Sequence, residues 1–205
     1  MKALIIVDVQ RDFLPGGALP VPEGDAVIPV INRLQPHYDL VVLTQDWHPP
    51  NHLSFASNHP GRRPFDVVEL DGVQQVLWPD HCVWNTPGAD FSDHLDTSRA
   101  TAIFRKGMDP RVDSYSGFFD NGRRHKTGLG DWLRGMGVAE VHVVGLAADY
   151  CVAYTARDAA ELGFRTVIIE DATRAISAAD FARIADDLRK RDIRIESSSR
   201  LVGNA

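Results

Sequence analysis

The chain has 205 residues and a formal net charge of −6. A chain of this length buries roughly 70% of the surface it exposes when unfolded, so one domain over residues 1–205 is expected. Mild acidity, with only short basic clusters such as Arg62-Arg63 and Arg123 to Lys126, argues against a nucleic-acid surface; no apolar run approaches a membrane span, and two cysteines without a C-x-x-C pair make no disulfide framework.

Along the chain, ALIIVDV (3–9) reads as a strand; Asp8 interrupts the apolar run too early for a secretory leader, so a reducing cytoplasm is expected. A helical window follows over 24–36, then a second strand, LVVLTQD (40–46). Residues 47–100 read as irregular, rich in Pro, His, Asn and Gly, and a loop of that length inside a compact domain is usually functional. Strand TAIFRK (101–106), helix 128–136, strand EVHVVGLA (140–147), helix 150–162, strand RTVIIED (165–171), helix 178–191 and strand RIES (194–197) complete the pattern. Gly137 and Gly163 stand where helices end. The strands read as apolar on both faces, as buried parallel strands do. Their alternation with helices predicts an α/β fold, a parallel sheet between two helical layers. Ligands of such sheets bind beyond the carboxyl ends of the strands.

Polar residues at those ends are the candidate site. Cys151 lies where EVHVVGLA turns into a helix, and free N–H groups at a helix start favour an anion and a developing oxyanion. They are expected to lower the thiol pKa, with help from a second group, because two units need about 2.7 kcal/mol and one helix end supplies at most ~2. Most cysteines are inert, buried small hydrophobes, and Cys82 is weaker still as a nucleophile, since it sits in the loop beside the better-motivated His81. Asp8 and Lys106 end two other strands on the same side of the sheet. Asp8 can take the thiol proton and return it to a leaving amine, while Lys106 can hold Asp8 and the thiolate. Singly, each has an ordinary reading, a structural carboxylate and a snorkelling lysine.

In TQDWHPPNH, alternation in an extended segment turns Asp46 and His48 the same way, and WPDHC adds His81. One carboxylate and two imidazoles suit Zn²⁺, Fe²⁺ or Mn²⁺, although the spacings match no stock zinc motif. His37, His59, His94, His125 and His142 read as surface or satisfied core.

Five segments, MKALIIVDVQRDFLPGGALPV, TQDWHPPNHLSF, WPDHCVWNTPGADF, FRKGMDPRVDSYSGFFDN and VVGLAADYCVAYTARDA, resemble in order the motifs of bacterial nicotinamidases, also called pyrazinamidases, of the isochorismatase-like hydrolases. The resemblance runs from Met1 to about Ala178 and implies a Rossmann-like, six-stranded parallel sheet. It implies a catalytic set of Asp8, Lys106 and Cys151, one divalent metal ion on Asp46, His48 and His81, and a small-molecule substrate, nicotinamide. His52 matches a position that binds the ion in some members only. Phe13, Trp78, Tyr115 and Tyr150 match aromatic residues around the substrate. Leu146–Ala147 matches a cis peptide, with the amides of Ala147 and Cys151 as the oxyanion hole. The family reading includes pyrazinamide hydrolysis, NAD salvage, and a monomer or homodimer. Two alternatives stay open: a relative acting on another amide or on isochorismate, and a ligand-binding member without activity. Tyr150 stands where some members carry His, and Ala56–Leu77 is longer than in the shortest members.

Overall fold

A computed structural model describes residues 1–201. Its strands are β1 (Lys2–Val7), β2 (Leu40–Asp46), β3 (Val67–Leu70), β4 (Val73–Val76), β5 (Ala100–Lys106), β6 (Glu140–Leu146), β7 (Arg165–Arg174) and β8 (Arg194–Glu196). Its α-helices are α1 (Val27–Leu34), α2 (Leu129–Gly135), α3 (Ala153–Glu161) and α4 (Ala178–Lys190). Six strands form one sheet in the order β5-β2-β1-β6-β7-β8, and every pairing in it is parallel. With helices flanking it, this is the predicted α/β/α architecture.

The centre of the sheet follows from the apolar runs. Ala3 through Val7 and all of β2 are buried, which only a strand covered on both faces achieves. The edge strand β5 departs from that expectation: its residues alternate, and Ile103 is 51% exposed, because one of its faces is uncovered. Helix α1 packs against β6 and β7; α3 packs on the same two strands and on α4, and α4 on β8. Gly137 and Gly163 follow α2 and α3 with φ of 75° and 90°, the left-handed turn that ends a helix.

The elements differ from the sequence reading in several places: β1 ends at Val7, two residues short of its predicted end, and the predicted helix 150–162 is a π turn over 148–152 followed by α3. The first helical window is one α-helix between two short 3₁₀ turns, 24–26 and 35–37. Strand β7 runs three residues past its predicted end, to Arg174. The stretch 47–100 is not wholly irregular, since β3 and β4 make an antiparallel hairpin. Its turn is Asp71-Gly72, with φ of 49° and 80°, the paired left-handed residues a two-residue hairpin turn needs.

The sheet order decides where the site lies. Chain connections leave β1 toward β2 on one side and enter β6 on the other, so the crevice at the carboxyl ends falls around β1. Asp8, Asp46, Lys106 and Cys151 follow or end β1, β2, β5 and β6, which are four neighbouring strands.

Candidate active site

Asp8 sits one residue beyond β1 with φ of 48°, an uncommon conformation for a side-chain-bearing residue. This bend turns its carboxylate under the end of the sheet, where Thr44 Oγ1 donates to Oδ1 at 2.6 Å. Lys106, the last residue of β5, reaches into the same space and is 2% exposed. Its ammonium lies 2.9 Å from Asp8 Oδ2, 2.5 Å from Asp46 Oδ1 and 3.5 Å from Cys151 Sγ, and it donates to Ser114 O at 2.8 Å. The acid, the amine and the sulfur therefore meet in one hollow.

Cys151 is carried by a single π turn, Ala148–Val152, that leads into α3. Tyr150 N–H and Val152 N–H both donate to Ala147 O at 3.1 Å. The peptide bond before Ala147 is cis, at the position the resemblance indicated.

The protonation pattern corrects one expectation. The Cys151 thiol is held well above its usual pKa, because complete burial outweighs the nearby Lys106. Local helix-start reasoning had omitted that desolvation. The proton must leave to a base at the moment of reaction, and Asp8 is suited to take it. Burial raises Asp8 to about 6, against the pull of Lys106 and with a push from Asp46. Asp46 goes the other way: burial would raise it, but Lys106 and His48 hold it well below the ordinary carboxylate range. Lys106 stays firmly charged, since Asp46 and Asp8 overcome its desolvation. Burial likewise raises Cys82, whose carbonyl accepts His48 N–H at 3.0 Å.

Asp46 Oδ2 lies 3.6 Å from His48 Nε2 and 3.9 Å from His81 Nε2. Donors on an ion with bonds near 2.1 Å stand roughly 3–3.4 Å apart, so a small inward movement closes the set. The ring nitrogens fit as well. His48 Nδ1 faces Gly107 O at 2.8 Å and His81 Nδ1 faces Pro79 O at 2.8 Å. A carbonyl only accepts, so each Nδ1 carries the hydrogen and each Nε2 offers its lone pair. His52 is arranged oppositely: Ser54 N–H donates to its Nδ1 at 3.1 Å, which puts the neutral ring's hydrogen on a buried, unpartnered Nε2. The residues thus present a carboxylate and two imidazoles to a cation, with His52 as an N–H donor. Charge agrees: two buried carboxylates against one ammonium leave the hollow negative. Two further groupings are close enough to hold an ion: His48, His52 and Asp113, and Asp8, Asp46 and Cys151, among which the Lys106 ammonium already lies.

A narrow cleft opens beside Cys151. All five residues expected around a substrate line it: Phe13, Trp78, Tyr115, Ala147 and Tyr150. Trp78 and Tyr150 meet edge to face at 4.9 Å, and Tyr115 meets Tyr150 at 5.4 Å, so the wall is braced by its own rings. Leu19, Asp113 and Ile176 line it too.

Several residues that sequence reasoning missed set this geometry. Gln10 accepts Asp46 N–H at 2.8 Å and donates to Asp46 O and Ala89 O, both at 2.8 Å, which fixes the end of β2. Asp12 accepts Cys82 N–H at 2.7 Å and so anchors the segment bearing His81. Gln75, from the unforeseen hairpin, donates to Tyr115 Oη at 3.1 Å and Asp113 Oδ2 at 3.2 Å. The Asp-Gly turn between alternating residues was the available signal for that hairpin.

Residues 2–191 match the model of the isochorismatase domain family. A nicotinamidase of Escherichia coli is 51% identical over 180 residues, 86% of this chain and 84% of that protein. The structure of a nicotinamidase/pyrazinamidase of Acinetobacter baumanii superposes with a TM-score of 0.95 at 45% identity, covering 98% of this chain and 97% of that one. The crystal structure of a pyrazinamidase of Pyrococcus horikoshii in complex with zinc superposes with a TM-score of 0.79 at 40% identity, covering 96% and 98%.

Proposed function

The chain belongs to the isochorismatase family, and from that premise we propose that it hydrolyses nicotinamide to nicotinate and ammonia through a thioester on Cys151. The observation that carries the mechanism is the Lys106 ammonium, 2.9 Å from Asp8 and 3.5 Å from the Cys151 sulfur, which itself lines an aromatic cavity.

The substrate ring enters among Phe13, Trp78, Tyr115 and Tyr150, which places the carboxamide carbon over Cys151 and removes the freedom a free amide would lose on reaction. Asp8 takes the thiol proton as sulfur bonds to that carbon, and the carbonyl π pair moves to oxygen. Backbone N–H groups of Ala147 and Cys151 donate to the oxyanion. The oxyanion collapses, the C–N bond breaks, and Asp8 gives its proton to the departing nitrogen, which leaves as ammonia. Asp8, now a carboxylate, takes a proton from water. The resulting hydroxide adds to the thioester, the C–S bond breaks, Asp8 returns its proton to the Cys151 sulfur, and the acid leaves as nicotinate with its proton passing to solvent. Lys106 stays charged throughout; it orients Asp8 and stabilises the sulfur as it becomes anionic.

Asp46, His48 and His81 would hold one divalent ion, zinc, iron or manganese. When bound, it supplies a Lewis acid that anchors the ring nitrogen. Pyrazinamide, which replaces one ring CH by nitrogen, fits the same cavity and belongs to the same reading, supported by the pyrazinamidase names among the relatives. The product places the protein in pyridine-nucleotide salvage. Two free, buried thiols suit a reducing cytoplasm, and no helix among the described residues is long and apolar enough to cross a membrane.

The deciding assay is ammonia release from nicotinamide, pyrazinamide and isochorismate in parallel, with and without a chelator, on protein whose metal content has been measured. Nicotinamide is expected to be cleaved, and Cys151→Ala to lose turnover while still binding it. Near-normal activity of Cys151→Ala sinks the mechanism.

A further inference from the structure

Asp149 is a carboxylate, 2% exposed, that the chemistry above does not use. It lies inside the π turn that carries Cys151. Its Oδ1 accepts Ile176 N–H at 3.0 Å and its Oδ2 accepts Ser177 N–H at 2.8 Å. Both partners belong to the connection between β7 and α4. Ser177 caps α4, accepting Asp180 N–H at 3.2 Å. Ile176 lines the substrate cavity together with Cys151 and is itself only partly buried, so it stands between the cavity and solvent. One carboxylate thus joins the turn that aims the sulfur to the stretch that covers the cavity. Bonds to an ionised acceptor away from water are the stronger kind, and a loop held by two of them has little freedom.

We propose that Asp149 is a positioning residue, which holds Ile176 as a fixed roof over the substrate cavity and steadies the Cys151 turn from beneath. The kinetic side of this rests on the amidase reading; the roof does not. In Asp149→Asn one oxygen still accepts, but the amide NH₂ faces the second backbone N–H, so one bond is lost and a donor meets a donor. The roof loosens and the sulfur loses part of its alignment. Access to Cys151 then rises while turnover falls. A carboxylate that merely supported folding would expose the thiol only by unfolding the chain, so kcat would fall in proportion to the folded protein lost, KM would stay unchanged, and labelling would follow the unfolded fraction.

The test compares Asp149→Asn, Ile176→Ala and wild type for nicotinamide kinetics and for the rate at which iodoacetamide labels Cys151, followed on the Cys151 peptide. Asp149→Asn is expected to raise KM, lower kcat and reduce kcat/KM by ~10-fold or more, as loss of a bond to a charged group implies, while labelling accelerates several-fold. Ile176→Ala, which keeps both bonds, is expected to raise KM and accelerate labelling. Wild-type kinetics and labelling in Asp149→Asn overturn the proposal, as does a fall in kcat at unchanged KM with labelling that only follows the unfolded fraction measured by circular dichroism. If Asp149→Asn does not fold, a wild-type labelling rate in Ile176→Ala overturns the roof. If wild type does not cleave nicotinamide, the amidase reading fails, and the labelling contrast still decides Asp149.

Discussion

Gly107→Ala isolates the support of a single metal-binding ring. Gly107 follows β5 with φ of 65° and packs against the edge of His48. A Cβ added there would meet His48 Cε1 at 2.3 Å and Nδ1 at 2.6 Å. Carbon contacts settle near 3.5–4.0 Å, so the imidazole must retreat by about 1 Å or the backbone must move. The left-handed φ adds roughly 1–2 kcal/mol for alanine. Crowding a packed site adds typically 1–3 kcal/mol more. Retreat of the ring also disturbs the 2.8 Å bond from His48 Nδ1 to Gly107 O, which fixes the lone pair of Nε2 toward Asp46. Loss of such support typically costs 10–100-fold in metal affinity. The assay is competition with a calibrated chelator, with the melting temperature in metal-free buffer as a control for folding. Affinity should fall by that factor while the protein stays folded. Unchanged affinity would refute the reasoning, since the substituted atom has nowhere else to go.

Three other outcomes are expected. Lys106→Met removes the one ammonium between Asp8 and Asp46 and leaves buried charge uncompensated, a loss of about 3–5 kcal/mol that a denaturant melt will register; an unchanged midpoint contradicts the ion-pair account. His48→Ala should lose bound metal on elemental analysis, whereas His52→Gln, which still offers an N–H, should keep it; equal losses would make His52 a ligand after all. His142 gives a pH effect far from the site. It is bonded to Tyr38 at 2.8 Å and Glu140 at 2.7 Å, and burial holds its pKa below the usual 6.5 despite Glu140. As pH falls through 6.5 the unfolded chain takes up a proton that the folded chain refuses, so stability drops on the acid side. In His142→Phe the fall should be shallower by up to ~1.4 kcal/mol per pH unit, measured by urea melts; an identical slope would exclude His142 as its source.

What the sequence could disclose was set by range. An apolar run that stops at a charged residue marks a strand's carboxyl end, and Asp8, Asp46 and Lys106 each end such a run. Adjacent strands then bring them together without further instruction. The motif resemblance added the aromatic wall, which no periodicity reveals. Contacts between distant polar residues were invisible, because nothing local requires them. Gln10 is 36 residues from the Asp46 backbone it clamps, and Gln75 is 38 from Asp113. The His52 ring was ambiguous for the same reason: its hydrogen is assigned by Ser54 N–H, a fact of turn geometry and not of residue type. The thiol pKa was misjudged because a helix start is a local feature, whereas desolvation depends on everything packed around the sulfur.

That burial explains why one lysine serves two carboxylates. With full solvation, Asp8 and Asp46 would both titrate as ordinary acids, and neither would be specialised. In the dry hollow the ammonium cannot satisfy them equally. Asp46 has the shorter contact, 2.5 Å against 2.9 Å, and two imidazoles besides. It stays an anion, the form that the proposed metal site needs. Asp8, raised by burial and by the charge of Asp46 against the pull of Lys106, stands at about 6, where it can both take and return a proton near neutrality. Environments that push two acids apart assign their roles, and here the division comes from strand order. Lys106 enters from β5 across β2, meeting the Asp46 carboxylate before it reaches Asp8 and the sulfur beyond.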